Sequence, residues 1–260
     1  MNLNRQAVQR AFREYVSAYD AKDPKIALKI AHTCRVASLC ETIAREDVPQ
    51  ADPDLSWLMG MLHDIGRFEQ VRIYHTFIDS ASVDHAMFGA DLLFQEGLLE
   101  QLVPDAQQVL TEKERRILEI SIRNHNRYRI EESLTEDEQA YCHILRDADK
   151  IDIFRVNCDT PLQEIYNAST EELLNAGVSE DVKECFLRRT AVERSIRRTV
   201  IDHLVGHICL TFELVYPAST RIAREQGYVD RLLSFQSANP ETREWFDRMK
   251  ELIWKTEDET

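Results

Sequence analysis

The sequence predicts an all-α protein, and three observations carry that expectation. The 260 residues include only 7 Gly and 7 Pro, too few turn formers for a many-stranded β fold. Apolar residues recur at helical spacing through nearly every segment. Helix-start signals recur too, including Asp-Pro pairs and a Thr111–Glu114 capping box. A hydrophobic content of 43% supplies a core. The length fits one large domain, or one domain with an appended segment.

The elements follow in order. Residues 3–20 predict a first helix, stopping near "DAKDPK". Residues 25–46 predict a second, with Ile26, Ile30, Val36, Leu39, Cys40 and Ile43 along one face. "DPDLSWLMGMLHDIG" predicts a third that starts at Asp-Pro and ends at Gly66 in the C′ position. Residues 67–81, "RFEQVRIYHTFIDSA", read as a loop, a short helix or an extended flap. "SVDHAMFGADLLFQEGL" predicts a fourth helix capped by Ser82. "TEKERRILEISIRNHNRY" predicts a fifth and "TEDEQAYCHILRDADKIDIFRV" a sixth. Further amphipathic helices follow at roughly 180–206, 207–225 and 240–256.

The net charge of −14 argues against a general nucleic-acid binder. A local cationic site for a small anion remains compatible with it. No stretch reaches the ~18 apolar residues of a membrane span. The start lacks an apolar signal region, and six cysteines without CxxC spacing read as reduced, buried thiols. These features predict a cytoplasmic protein.

The informative residues are those that interrupt the apolar faces. His32 shares the stripe of Val36 and Leu39, and His63–Asp64 follow Leu58, Met59, Met61 and Leu62. His85 lies four residues before Gly89, a place where another helix can approach closely. His125 continues Leu118 and Ile122, and Asp149 lies between Leu145 and Ile153. A single histidine on such a face is ordinarily a hydrogen-bonded core residue. Six ionisable groups on five helices are harder to bury, because each unpaired charge costs several kcal/mol. Cations between them would resolve the cost, and imidazole with carboxylate suits divalent transition metals. Adjacent residues diverge by roughly 100° around a helix. His63 and Asp64 therefore share one ion only at a helix end, or serve two ions with the aspartate between them.

The ordered set His32, His63-Asp64, Asp149, with the contexts "HTCRVA", "GMLHDIGR" and "LRDADKIDIF", resembles the HD superfamily of metal-dependent phosphohydrolases. The resemblance covers about residues 28–155. It implies an all-α HD-domain helical bundle, with additional C-terminal helices outside it. The resulting organisation is a metal-binding core with its N-terminal helix over 1–160, and a helical extension over 161–260 packed on the same domain. His85 and His125 match the extra histidines of the dinuclear branch. By that analogy one ion is held by His32, His63, Asp64 and Asp149, and a second by Asp64, His85 and His125. The ions would be Fe or Mn first, with Co, Ni, Zn or Mg as alternatives.

The implied activity is hydrolysis of a phosphomonoester or phosphodiester, in a small nucleotide-like substrate, by water activated between the ions. Asp64 and Arg67 are the candidate catalytic residues. Relatives place a Lys or Arg at the Arg67 position against the substrate anion; the alternative is a surface arginine at a helix C-terminus. Asn126 and Lys150, beside His125 and Asp149, are further candidates for substrate contact, with Asn124 beside them. Asp152 is a candidate to orient a ligand histidine. His203 and His207 lack the carboxylate of HExxH and read as packing residues. Apolar stripes after residue 180 would cover the bundle or form a homodimer face. Two other functions fit the same ligand set: a di-iron oxygenase, and a non-catalytic metal-binding module.

Overall fold

The computed structural model describes residues 1–20, 22–166 and 168–255. All regular structure among them is helical. Two compact units divide within one long helix, between Asp149 and Lys150.

In the first unit, α1 (Arg5–Val16) buries Val8, Phe12 and Val16. Pro24 opens α2 (Pro24–Asp47), behind the capping carboxylate of Asp23. Asp52 caps α3 (Pro53–Leu62), accepting from the Asp54 and Leu55 amides at 2.7 and 3.1 Å. The chain turns at His63–Asp64 and continues at once as α4 (Ile65–Tyr74). The left-handed backbone of His75, φ 55°, ends that helix. After a short 3-10 turn at Asp79–Ala81 come α5 (His85–Phe94), α6 (Leu98–Leu102) and α7 (Ala106–Val109). The capping box of Thr111 and Glu114 opens α8 (Glu112–Asn124) with both reciprocal bonds present. The last helix of the unit, α9 (Glu136–Asp159), crosses the division.

Three expectations are corrected here. Gly66 does not end a helix: the break comes two residues earlier, and Gly66 is the second residue of α4. Asp84, not Ser82, caps α5, because its carboxylate reaches the Ala86 and Met87 amides. The region 180–206 is two helices instead of one, parted by the left-handed Arg189 and an irregular stretch.

Two backbone-to-backbone crossings set the core of the first unit. At Gly60 a Cβ would lie 2.4 Å from the Ala37 Cα, so α3 lies directly on α2. At Gly66 it would lie 2.4 Å from the His85 carbonyl oxygen and 2.7 Å from the Gly89 nitrogen, so α4 lies on α5. Gly89 thus provides the close approach expected of it.

The second unit contains α10 (Leu162–Tyr166), α11 (Thr170–Asn175), α12 (Glu180–Leu187), α13 (Val200–Ile208), α14 (Pro217–Gln226), α15 (Tyr228–Leu233) and α16 (Pro240–Leu252). Its core includes Phe186, Leu204, Val205, Ile208, Phe246 and Met249. Leu204 and Ile208 are therefore core, whereas Val215 is exposed. His207 packs inside this unit: its Nδ1 lies 2.8 Å from Asn157 Oδ1, which also accepts from the Tyr166 hydroxyl at 2.8 Å. All six cysteines are free; Cys40, Cys142 and Cys209 are buried, Cys158 and Cys185 half-buried, and Cys34 exposed. No helix among the described residues is long and apolar enough to cross a membrane.

Candidate metal centre

Six side chains from α2, the α3–α4 break, α5, α8 and α9 meet at one buried point. His32 comes from the middle of α2 and Asp149 from the middle of α9. His63 and Asp64 occupy the break between α3 and α4, His85 is the first residue of α5, and His125 caps the end of α8.

Asp64 lies at the centre. Its Oδ2 is 3.4 Å from His32 Nε2 and 3.5 Å from His63 Nε2. Its Oδ1 is 3.4 Å from His85 Nε2 and 3.8 Å from His125 Nε2. Asp149 Oδ1 joins the first group, 3.1 Å from His32 Nε2 and 3.8 Å from His63 Nε2. Donors that bind one ion at about 2.0–2.2 Å stand roughly 3–3.5 Å from each other. The spacings of 3.1–3.5 Å fit that requirement on both sides of Asp64, and the His125–Asp64 and His63–Asp149 spacings of 3.8 Å are slightly wider.

Helix ends aim the rings. The last carbonyls of a helix lack intrahelical partners. His63 Nδ1 donates to one of these, Gly60 O, at 2.8 Å, and His125 Nδ1 donates to Ile122 O at 2.7 Å. The buried Arg146 of α9 holds the turn that carries His125, donating to Asn124 O at 3.1 Å and to the Arg127 carbonyl. His85 Nδ1 donates instead to Asp79 Oδ2 at 2.7 Å. Each of these three rings therefore commits one proton outward and turns Nε2 inward.

Burial and the neighbouring His85 and His63 push His125 down to about 3, and burial with the Arg67 charge lowers His85. Both are neutral near neutral pH, with their single protons on Nδ1. Yet their Nε2 atoms stand 3.0 Å apart. Two facing lone pairs at that distance repel, and a cation between them removes the conflict. Burial would raise the Asp64 carboxyl, but Lys29, His63 and His32 together hold it well below the usual carboxylate range. Asp149 is held low against burial in the same way, chiefly by His32 and His63. The donors beside Asp64 Oδ1 are thus anionic oxygen and the neutral imidazoles of His85 and His125, which suits a divalent transition metal.

Residues 30–153 match the HD domain family. The matched stretch includes all six converging residues. No curated protein and no solved structure matches the chain.

The other candidate residues are placed differently. Arg67 does not emerge from a helix end: it lies in the first turn of α4, and its side chain is 12% exposed. Its Nη1 contacts Gln70 Oε1 and Phe77 O at 2.7 Å and Asp79 Oδ1 at 2.8 Å, so that corner of the guanidinium is taken. Its Nε lies 3.7 Å from Asp64 Oδ1. The Asn126 amide donates to Asp84 Oδ1 at 2.9 Å, tying the turn after α8 to the start of α5. The Asn124 amide donates back to Ile120 O at 2.9 Å. Lys150 is roughly 100° around α9 from Asp149, with its ammonium 3.5 Å from Glu213 Oε2 and 3.3 Å from Glu213 O.

Sequence reasoning missed two residues. Lys29 Nζ lies 2.6 Å from Asp64 Oδ2. Its position three residues before His32 on α2, hence on the same face, was a usable signal. Asp79, in the short 3-10 turn before α5 where helical spacing carries no register, orients His85. Asp79, Asp84 and His85 also form a cluster of metal-ligating type. Its carboxylates are occupied by Arg67, Gln70, Asn126 and the α5 amides.

Proposed function

We propose that this protein is a dinuclear metal-dependent phosphohydrolase acting on a phosphomonoester or phosphodiester of a small, nucleotide-like molecule. One observation carries this reading: the close approach of neutral His85 and His125 Nε2 atoms, with Asp64 Oδ1 3.4 Å from His85 Nε2. That half of the centre is a cation site, and His32, His63 and Asp149 form the other around Asp64 Oδ2. His32, His63, Asp64 and Asp149 would hold one ion; Asp64, His85 and His125 would hold the second.

Two divalent ions, when bound, supply Lewis acidity and activate water for attack at phosphorus. Two ions and two carboxylates leave the centre near about +2, an attractive site for phosphate on an acidic chain. The protein's own residues hold the geometry. Asp64 spans both halves, the Gly60 and Ile122 carbonyls fix two rings, and Asp79 fixes a third. No serine or cysteine nucleophile is required.

The test is a panel of phosphomonoesters and phosphodiesters assayed with Mn, Fe, Co, Ni and Mg, with metal content measured on the same samples. Anaerobic phosphate release at about two ions per chain is the expected result. Substrate-dependent oxygen consumption without phosphate release would identify an oxygenase instead. Silence across the panel, with metal bound, would favour a non-catalytic module.

A further inference from the structure

The metal-rich reading needs a protein group that meets the substrate anion, and Arg67 is poorly placed to do so. Its Nη1 is shared among three acceptors that pin the segment around Phe77 and Asp79. Its remaining contact toward the centre, Nε to Asp64 Oδ1, is 3.7 Å long. Arg67 is a clamp on the structure beside the centre.

Lys29 differs in each respect. Its ammonium has three donors, and one is spent on Asp64 Oδ2 at 2.6 Å. Its side chain is 16% exposed, against 2% for Asp64, so it stands on the solvent side of the carboxylate. The half-exposed ring of Phe77 lies 5.5 Å from its Nζ, giving the ammonium an apolar wall on one side. The partner that Lys29 now holds is the carboxylate both half-sites share. Divalent ions, when bound, would share that charge and weaken its hold on the lysine.

We propose that Lys29 is the residue that binds the phosphoryl oxygens of the substrate. This rests on the phosphohydrolase reading above. An ammonium on a flexible stem can move from a carboxylate oxygen to a phosphoryl oxygen by rotamer change alone. The guanidinium of Arg67, by contrast, has its Nη1 held by three acceptors.

The experiment is calorimetric titration of inorganic phosphate into Mn-loaded protein, for wild type, Lys29→Met and Lys29→Arg. Lys29→Met is expected to keep its metal and bind phosphate about tenfold to a hundredfold more weakly, the effect of losing one charge-assisted contact. Lys29→Arg should recover part of that loss. Wild-type affinity in a fully metal-loaded Lys29→Met overturns the assignment to Lys29 and leaves the phosphohydrolase reading intact. Loss of metal from Lys29→Met also overturns it, because the lysine then serves the ligands. Absence of phosphate binding in Mn-loaded wild type overturns the phosphohydrolase reading and the Lys29 assignment together. A second measurement needs no variant: amine acylation of Mn-loaded wild type, mapped by peptide mass spectrometry, with and without phosphate. Phosphate should protect Lys29, and unchanged labelling overturns the proposal.

Discussion

His85 and Asp79 share a 2.7 Å hydrogen bond, and the other oxygen of the same carboxylate lies 2.8 Å from Arg67 Nη1. One side chain from an irregular segment therefore aims a ring at the start of α5 and anchors a guanidinium in α4. Asp79→Ala should leave the His32 half of the centre intact and weaken the His85 half. Loss of such an outer partner typically costs about 10–100-fold in metal affinity. Stepwise Mn titration, read as the affinities of the first and second equivalents, checks this. Two unchanged equivalents would remove Asp79 from any role in the site.

Asp64→Ala should remove metal and turnover together. Its two oxygens face the two histidine pairs. The loss should exceed the ~10–100-fold expected for an outer partner. Metal analysis and kinetics on the same preparation decide the matter. Full metal content with normal turnover would refute the bridging role.

Gly66→Ala should damage both stability and the second half-site. The added Cβ would lie 2.4 Å from the His85 carbonyl oxygen and 2.7 Å from the Gly89 nitrogen, both backbone atoms that cannot rotate away. Moving α5 outward carries His85 with it. Overpacking of this kind costs about 1–3 kcal/mol or more. Urea unfolding of the metal-free protein and its count of tightly bound Mn are the measurements. Wild-type values for both would show that α4 and α5 tolerate separation.

His207 makes acid stability pH-dependent through the second unit. Burial, followed by the nearby Arg197 and His203 charges, pushes it down to about 3. The unfolded chain binds that proton near pH ~6.5, whereas the folded chain does not. Its contribution is therefore complete above about pH 6.5 and is lost as pH falls from there toward the folded value, with a slope of at most about 1.4 kcal/mol per pH unit. His207→Gln should flatten the fall in unfolding free energy between about pH 6.5 and 4.5 relative to wild type. Parallel profiles would mean that His207 titrates normally in the folded protein.

Much of the candidate site is legible in the sequence. His32, His63, Asp64, His85, His125 and Asp149 stand out because each breaks an apolar face, and burial of such groups demands compensation. That criterion is local to each helix, so sequence periodicity reveals it. The all-α class, the α8 capping box and the close approach at Gly89 were legible for the same reason, since each depends on neighbours a few residues apart. The chain itself thus determined which residues must be reconciled in the core.

Tertiary structure decided what surrounds them. Gly66 looked like a terminator because glycine commonly ends helices, yet here its missing side chain admits the backbone of α5. Arg67 looked free because a helix end would have exposed it; continuation as α4 turns it toward Asp79 instead. Asp79 orients His85 from an irregular segment with no period to read, and Lys29 reaches Asp64 across 35 positions of chain. Hydrogen bonds and ion pairs of that kind depend on where whole helices come to rest. The packing at Gly60–Ala37 fixes α3 on α2 and that at Gly66–Gly89 fixes α4 on α5, because backbone contact leaves no side chain to adjust the spacing.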